Sequence, residues 1–127
     1  MADLEPAAAV TVSEETTVRE AFGIMKERAI GSVVVVDGEG RLAGLFTEWD
    51  ILALVADEDA AAADRRVGDL MTRDPETTAM DSSLAEIIHR LTVSDLRYLP
   101  ILDEEGHPVS ILAARDLVDF LSARIED

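Results

Sequence analysis

Slid along itself by 66 residues, the sequence aligns end to end without a gap. The identical pairs are Asp3/Asp69, Leu4/Leu70, Thr11/Thr77, Glu20/Glu86, Asp37/Asp103, Glu39/Glu105, Gly40/Gly106 and Asp50/Asp116. Where identity fails the residue class persists, as in Val18/Leu84, Met25/Leu91, Ile30/Leu96, Val33/Leu99, Val35/Ile101 and Leu45/Ile111. A solenoid needs three or more shorter units, so two units of this length predict a pseudo-twofold pair instead. A chain of 127 residues, 48% of them hydrophobic, has room for two small packed units and the apolar side chains to fill them.

Each unit can be read once and checked on its copy. Thr17-x-x-Glu20 and Ser83-x-x-Glu86 have the form of capping boxes, a hydroxyl at the N-cap and an acid three residues on. Val18, Ala21, Phe22 and Met25 then follow the i, i+3, i+4, i+7 spacing of a buried helical stripe, repeated by Leu84, Ile87, Ile88 and Leu91. Short apolar runs come next, Val33–Val36 and Leu99–Leu102. Each is closed by a turn, DGEG at 37–40 and DEEG at 103–106, and followed by a second run, Leu42–Phe46 and Val109–Leu112, which predicts a hairpin. A second helix starts at about Glu48 in one unit and about Arg115 in the other. The fold class is α/β of the α+β kind, two β-α-β-β-α repeats. The first covers residues 1–61, with a polar, alanine-rich linker over about 56–66 that has some helical character, and the second covers 67–127.

Composition narrows function by exclusion. The chain has 27 acidic residues against 11 basic ones, a net charge of −16, and Lys26 is its single lysine. That field repels nucleic-acid backbones and anionic membranes, so neither is an expected partner. It also disfavours a phosphate ligand unless a site gathers positive charge. The acidity fits a salt-adapted or GC-rich source, and equally an ordinary solvated surface. No cysteine is present, and no apolar run approaches the ~20 residues of a membrane span. The acidic start MADLEPAAAV lacks the basic segment of a signal peptide, which predicts a cytoplasmic protein. His89 and His107 share no metal-ligand spacing, and no nucleophile motif or phosphate-cradling glycine loop occurs. Neither catalysis nor a bound metal is expected.

The stretch of most chemical interest is Gly44-Leu45-Phe46-Thr47-Glu48-Trp49-Asp50. Thr-x-x-Asp before an apolar helix is a plain N-cap with an acid in the first turn, worth about 1 kcal/mol. The same residue types also suit a ligand. A carboxylate can accept from two adjacent ribose hydroxyls, and a threonine hydroxyl beside a helix's free amides suits a phosphate. Both readings stand on spacing alone. In the copy, Ser110-Ile111-Leu112-Ala113-Ala114-Arg115-Asp116, only the aspartate survives, so the two sites are unequal.

The order of elements, SVVVVDGEGRLAGLFTEWDIL at 32–52, VGDLMT at 67–72 and LRYLPILDEEG at 96–106 together resemble a tandem pair of CBS domains, and the likeness covers essentially the whole sequence. The resemblance implies a stand-alone regulatory module, also called a Bateman module. Such a module binds an adenosine compound (AMP, ADP, ATP or S-adenosylmethionine, with or without magnesium) in clefts between the repeats, with no cofactor required. It implies a homodimer and an effector protein that reads the change in repeat or dimer geometry. The family signature Gly-h-h-Thr/Ser-x-x-Asp, with h apolar, falls on Gly44, Thr47 and Asp50, and Glu48 lies within it. By the same resemblance this site is completed by Pro75, Glu76 and Thr77 beside the base, and by Arg97 and Tyr98. Ordinary roles compete there: an ion pair for Arg97 and a half-buried core position for Tyr98. The weaker second site would comprise Val10, Gly31, Ser32, Arg115 and Asp116, with Arg115 equally readable as a solvated helix charge. Trp49, at a position often charged in the family, would pack at a dimer face or lid the pocket. The alternative to a sensor is a constitutive dimerisation or adaptor module in which Thr47 and Asp50 only cap a helix.

Overall fold

The segments between the turns form four helices and eight short strands in a computed structural model that describes residues 6–125. Asp3 and Leu4, which open the repeat pairing, lie outside the described residues. The strands are β1 (Ala7–Ala8), β2 (Thr11–Ser13), β3 (Ser32–Val36), β4 (Leu42–Thr47), β5 (Thr72–Arg73), β6 (Thr78–Ala79), β7 (Tyr98–Leu102) and β8 (Pro108–Ala113). The helices are α1 (Val18–Arg28), α2 (Glu48–Ala56), α3 (Leu84–Val93) and α4 (Ala114–Ile125). Two compact units result, one of residues 10–75 and one of residues 1–9 with 76–127.

In the unit of residues 10–75 the sheet order is β2-β3-β4-β5, with β2 parallel to β3 and the other pairs antiparallel. Thr17 caps α1 as its sequence predicts: its hydroxyl accepts from the Glu20 amide at 3.2 Å, and Glu20 accepts from the Thr17 amide at 3.1 Å. The helix ends on Ala29, whose left-handed φ of 53° turns the chain into β3. Val33, Val34 and Val35 are all buried in β3, a strand flanked on both edges, with Val33 and Val35 packed in the core beneath the helices. In the following turn Asp37 Oδ1 accepts from the Glu39 and Arg41 amides, and Gly40 takes a φ of 79° that favours glycine. The core joins Val12, Val18, Ala21, Met25, Val33, Val35, Phe46, Leu54, Val67 and Met71. Phe22 departs from the expected stripe. It is 50% exposed, because it lies at the stripe's edge and faces the outer side of α2.

The unit of residues 1–9 and 76–127 repeats this plan with the order β1-β8-β7-β6. The Ser83 hydroxyl accepts from the Glu86 amide, and Ile87, Leu91, Leu99, Leu112 and Leu117 form the buried core. The hairpin turn is built as in the first unit, with Asp103 Oδ1 accepting from the Glu105 and His107 amides and Gly106 at a φ of 88°.

Each sheet thus contains the β-α-β-β-α order of its own repeat. Each also gains a fourth strand from the segment that opens the other half: β5 pairs with β4, and β1 with β8. The compact units therefore divide at 9/10 and 75/76 rather than at the sequence period. The linker is strapped to the first unit rather than loose. Val18 donates to the Arg65 carbonyl, and the Val67 and Gly68 amides donate to Thr16 and Glu14. Its helical character amounts to a single 3-10 turn at Ala62–Asp64.

Candidate functional site

The junction of β4 and α2 is set by two residues whose side chains turn back on the backbone. Thr47 ends β4 in an extended conformation, opposite Ser32 in the register, and caps α2. Its hydroxyl accepts from the Trp49 amide at 3.2 Å. Its own amide donates to Asp50 Oδ2 at 2.8 Å, with the hydroxyl a further 3.3 Å donor to the same oxygen. The Glu48 amide donates to the Gly31 carbonyl at 2.9 Å. The amides expected to be free for a phosphate are therefore taken. A side-chain carboxylate already occupies the place at the helix start where an anion is stabilised.

Asp50 is half-buried, and burial pushes its carboxyl above the ordinary aspartate range, partly opposed by the bonds from Thr47. Oδ2 takes both Thr47 bonds; Oδ1 accepts none among the described residues. Glu48 is exposed on the same first turn, so the start of α2 carries two carboxylates, and Lys26 of α1 lines the same groove as Glu48. Gly44 is buried in β4 for a reason unrelated to a ligand. A Cβ there would lie 2.8 Å from the Thr72 carbonyl oxygen and overlap the Met71 thioether, so this glycine admits β5.

The unit of residues 10–75 brings Gly44, Thr47, Glu48 and Asp50 together with Gly31 and Ser32, and it also holds Val10 and Pro75. Val10 is tied by its carbonyl to the Val34 amide, and Ser32 is buried at the start of β3. Of the residues expected to complete the preferred site, Glu76, Thr77, Arg97 and Tyr98 belong to the other unit. Glu76 pairs with Arg90 at 3.1 Å. The Arg97 carbonyl accepts from the Ala114 amide, the counterpart of the Glu48–Gly31 bond, and Tyr98 is half-buried opposite Ala113. Asp116 is exposed on α4, whose cap position is the hydroxyl-free Ala113. Arg115 pairs with Asp119 at 3.4 Å, the ordinary helix-surface role.

Two further groupings were not legible in the sequence. Asp103, Glu105 and His107 place one ligand-type atom each within 4.8 Å of one another in the β7–β8 turn, where the first unit has Asp37, Glu39 and Arg41. Alternation of acids through the turn was the available signal. The second grouping is an apolar groove between α1 and α2, lined by Phe22, Met25, Ile30, Trp49, Ile51 and Leu52. Trp49 is 47% and Leu52 54% exposed. Among the described residues no helix is long and apolar enough to cross a membrane.

Two mixed sheets, each with its own pair of helices and a hydroxyl–carboxylate junction in one copy only, define a tandem-repeat α+β chain. The CBS-domain family profile matches it twice, at residues 5–57 and 67–123. The chain belongs to the CBS-domain family. It is 32% identical over 110 residues to an uncharacterised 17.7 kDa protein of Acidianus ambivalens, covering 87% of this chain and 65% of that one. It is also 32% identical over 86% of its length to an inosine-5'-monophosphate dehydrogenase of Methanocaldococcus jannaschii, of which it spans 21%. Among solved structures, a CBS-domain protein of Agrobacterium tumefaciens is similar at a TM-score of 0.79 and 30% identity, with 89% of each chain covered. The CBS domain pair of protein MJ0100, in complex with 5'-methylthioadenosine and S-adenosylmethionine, is similar at 0.85 and 21% identity, covering 96% of this chain and 94% of that one. A Pyrobaculum aerophilum CBS protein complexed with AMP reaches 0.81 and 21%, covering 91% and 87%.

Proposed function

We propose that this chain is a regulatory module that binds an adenosine compound at the start of α2, with Asp50 accepting hydrogen bonds from the ribose hydroxyls. It would report occupancy to an effector protein through a change in repeat or dimer geometry and would catalyse nothing itself. The observation that carries the reading is the state of Asp50. Its carboxylate is half-buried at a strand–helix junction, Thr47 fixes one oxygen, and the other accepts nothing among the described residues. A desolvated acceptor held in one orientation suits a ligand that brings paired hydroxyls. Membership of the CBS family and the adenosine ligands of two similar pairs support the same class of ligand. Arg97 and Tyr98 are assigned to the ligand by family likeness, and Arg97→Ala tests that share.

The test is calorimetric titration with adenosine, methylthioadenosine, S-adenosylmethionine, AMP, ADP and ATP, with and without magnesium, against wild type and Asp50→Asn. Binding by at least one compound that is lost in Asp50→Asn is expected. Absence of binding at millimolar concentrations for all of them overturns the reading. Binding that survives Asp50→Asn and disappears in Asp116→Asn moves the site to the second repeat.

A second reading, a constitutive dimerisation or adaptor module, is favoured by one observation: the exposed face of Phe22, Trp49, Leu52 and Val55 on α1 and α2. An apolar face of this kind on a soluble surface marks an interface. It predicts self-association that is indifferent to every nucleotide.

A further inference from the structure

Independently of any adenosine site, we propose that the turn between β7 and β8 binds a divalent transition-metal ion of the zinc class through Asp103 Oδ2, Glu105 Oε2 and His107 Nδ1. The three side chains alternate along one hairpin turn, so the whole site lies within a single unit. His107 Nδ1 is 3.3 Å from Asp103 Oδ2 and 3.6 Å from Glu105 Oε2. Donor atoms bound at about 2.0–2.2 Å to a tetrahedral ion lie roughly 3.3–3.6 Å apart, so both separations already match the edges of such a site. An octahedral ion with bonds of about 2.1 Å would hold adjacent donors at about 3 Å, closer than either pair. The third pair, Asp103 and Glu105, has its oxygens within 4.8 Å, and the Glu105 side chain, 77% exposed, is free to rotate inward.

The donors are held from behind. Asp103 Oδ1 accepts from the Glu105 and His107 amides, both at 2.9 Å, while Oδ2 faces the imidazole. A carboxylate oriented in this way by backbone donors is the support that a metal ligand needs. A ring nitrogen between two carboxylate oxygens is also a place for positive charge, either a proton on Nδ1 or a metal ion in its stead. The first unit supplies the contrast, because it has the same frame without the imidazole. There Asp37 Oδ1 accepts from the Glu39 and Arg41 amides at 2.8 and 3.0 Å, and the Arg41 guanidinium lies 3.2 Å from Glu39. A guanidinium donates hydrogen bonds but has no lone pair for a metal. Between the copies Gly38 is replaced by Glu104 and Arg41 by His107. Two acids and an arginine thus become three acids and a histidine, a ligand in the position of a fixed cation. An imidazole beside two carboxylates suits zinc-class ions, whereas magnesium and calcium favour oxygen donors alone. Three protein donors leave a fourth position for water.

The experiment is calorimetric titration of the whole chain with zinc alone, on wild type, Glu105→Gln, His107→Gln and His89→Gln. Salt at about 0.15 M screens diffuse attraction of the ion to the acidic surface. His89 is the only other histidine and the chain has no cysteine, so His89→Gln is the control for every remaining nitrogen or sulfur side-chain ligand of ordinary zinc sites. Expected is one zinc per chain, bound at least about tenfold more weakly in Glu105→Gln and His107→Gln and unchanged in His89→Gln. Zinc should raise the Tm of wild type and not that of His107→Gln, and Tm values taken with a chelator separate a lost ligand from a lost fold. Cobalt in place of zinc should give the visible absorption of a tetrahedral site in wild type only. Excess magnesium or calcium should leave the zinc affinity unchanged. An affinity equal to wild type in His107→Gln overturns the proposal, since the acids would then be acting as a diffuse surface. Absence of zinc binding at millimolar concentration, or displacement of zinc by magnesium, overturns it as well.

Discussion

Replacing Thr47 by alanine should destabilise the first unit by about 1 kcal/mol, and the structure says which bonds set that figure. The hydroxyl accepts from the Trp49 amide at 3.2 Å, and alanine leaves that donor to water. Its 3.3 Å bond to Asp50 is long for a hydroxyl donor and adds little. The third bond, from the Thr47 amide to Asp50 at 2.8 Å, belongs to the backbone and survives the substitution. The hydroxyl's side of the capping box is therefore lost and the half made by the Thr47 amide remains, which puts the effect near the middle of the range for N-cap threonines. For a chain of this size that is a fall of about 4 °C in Tm. Urea denaturation followed by Trp49 fluorescence measures it where it acts, because the only tryptophan is the second residue of the helix concerned. Hydrogen exchange at the Trp49 amide should accelerate, and Thr47→Ser should restore both. Installing the missing hydroxyl in the copy, Ala113→Thr, should stabilise the second unit by a similar fraction of a kcal/mol. A loss below about 0.3 kcal/mol in Thr47→Ala with normal Trp49 exchange would refute the cap, since the lost bond would then carry no free energy.

Gly44→Ala should cost about 1–3 kcal/mol by overpacking against Thr72 and Met71 and unpairing β5, read by urea titration; a neutral effect would show that β5 is not held there. Asp50 has its carboxyl raised by burial, so its ionised form is disfavoured in the fold. Its contribution to stability is complete below the ordinary aspartate pKa and is lost as pH rises through the higher folded value. Wild type should therefore gain stability relative to Asp50→Asn between pH 7 and about pH 4, and a relative loss on acidification contradicts the assigned cause. The proposed dimerisation through the α1–α2 face predicts that Phe22→Glu with Leu52→Glu lowers the mass seen by light scattering without lowering Tm, because both side chains are about half exposed already; unchanged mass removes that face as the interface.

The features legible in the sequence are those written into neighbouring residues. Thr17 and Glu20 announce α1 because both partners of the capping box lie within one turn, and the buried Val33–Val35 run announces a covered strand. The exchange of opening strands left no such trace. A two-residue strand has no period, and the residue that admits β5, Gly44, answers to a backbone that arrives 28 positions later. A glycine shaped by a distant segment looks identical to one shaped by a ligand. Phe22 was misleading for the opposite reason, since it obeys the local period while its exposure depends on where α2 lies.

The Thr47–Asp50 pair could not be resolved by spacing because capping and ligand binding draw on the same oxygens. Geometry separates them atom by atom. Thr47 Oγ1 and Asp50 Oδ2 are committed to the helix, and Oδ1 is the atom left over. This division explains how the copy loses the threonine and keeps a helix. Ala113 gives α4 no side-chain acceptor, yet α4 runs for 12 residues against 9 for α2. Tertiary packing of Leu117, Phe120 and Leu121 stabilises it instead, as packing usually does for helices of this length. Because α4 forms without a hydroxyl at its start, the cap in the first repeat is a contribution rather than a requirement. In α4 no bond to the Asp116 carboxylate matches the one from the Thr47 amide to Asp50, among the described residues, and Asp116 stands exposed on its helix. The difference between the copies is therefore at the carboxylate: chiefly the Thr47 backbone amide holds Asp50 Oδ2, and Oδ1 accepts no bond among the described residues.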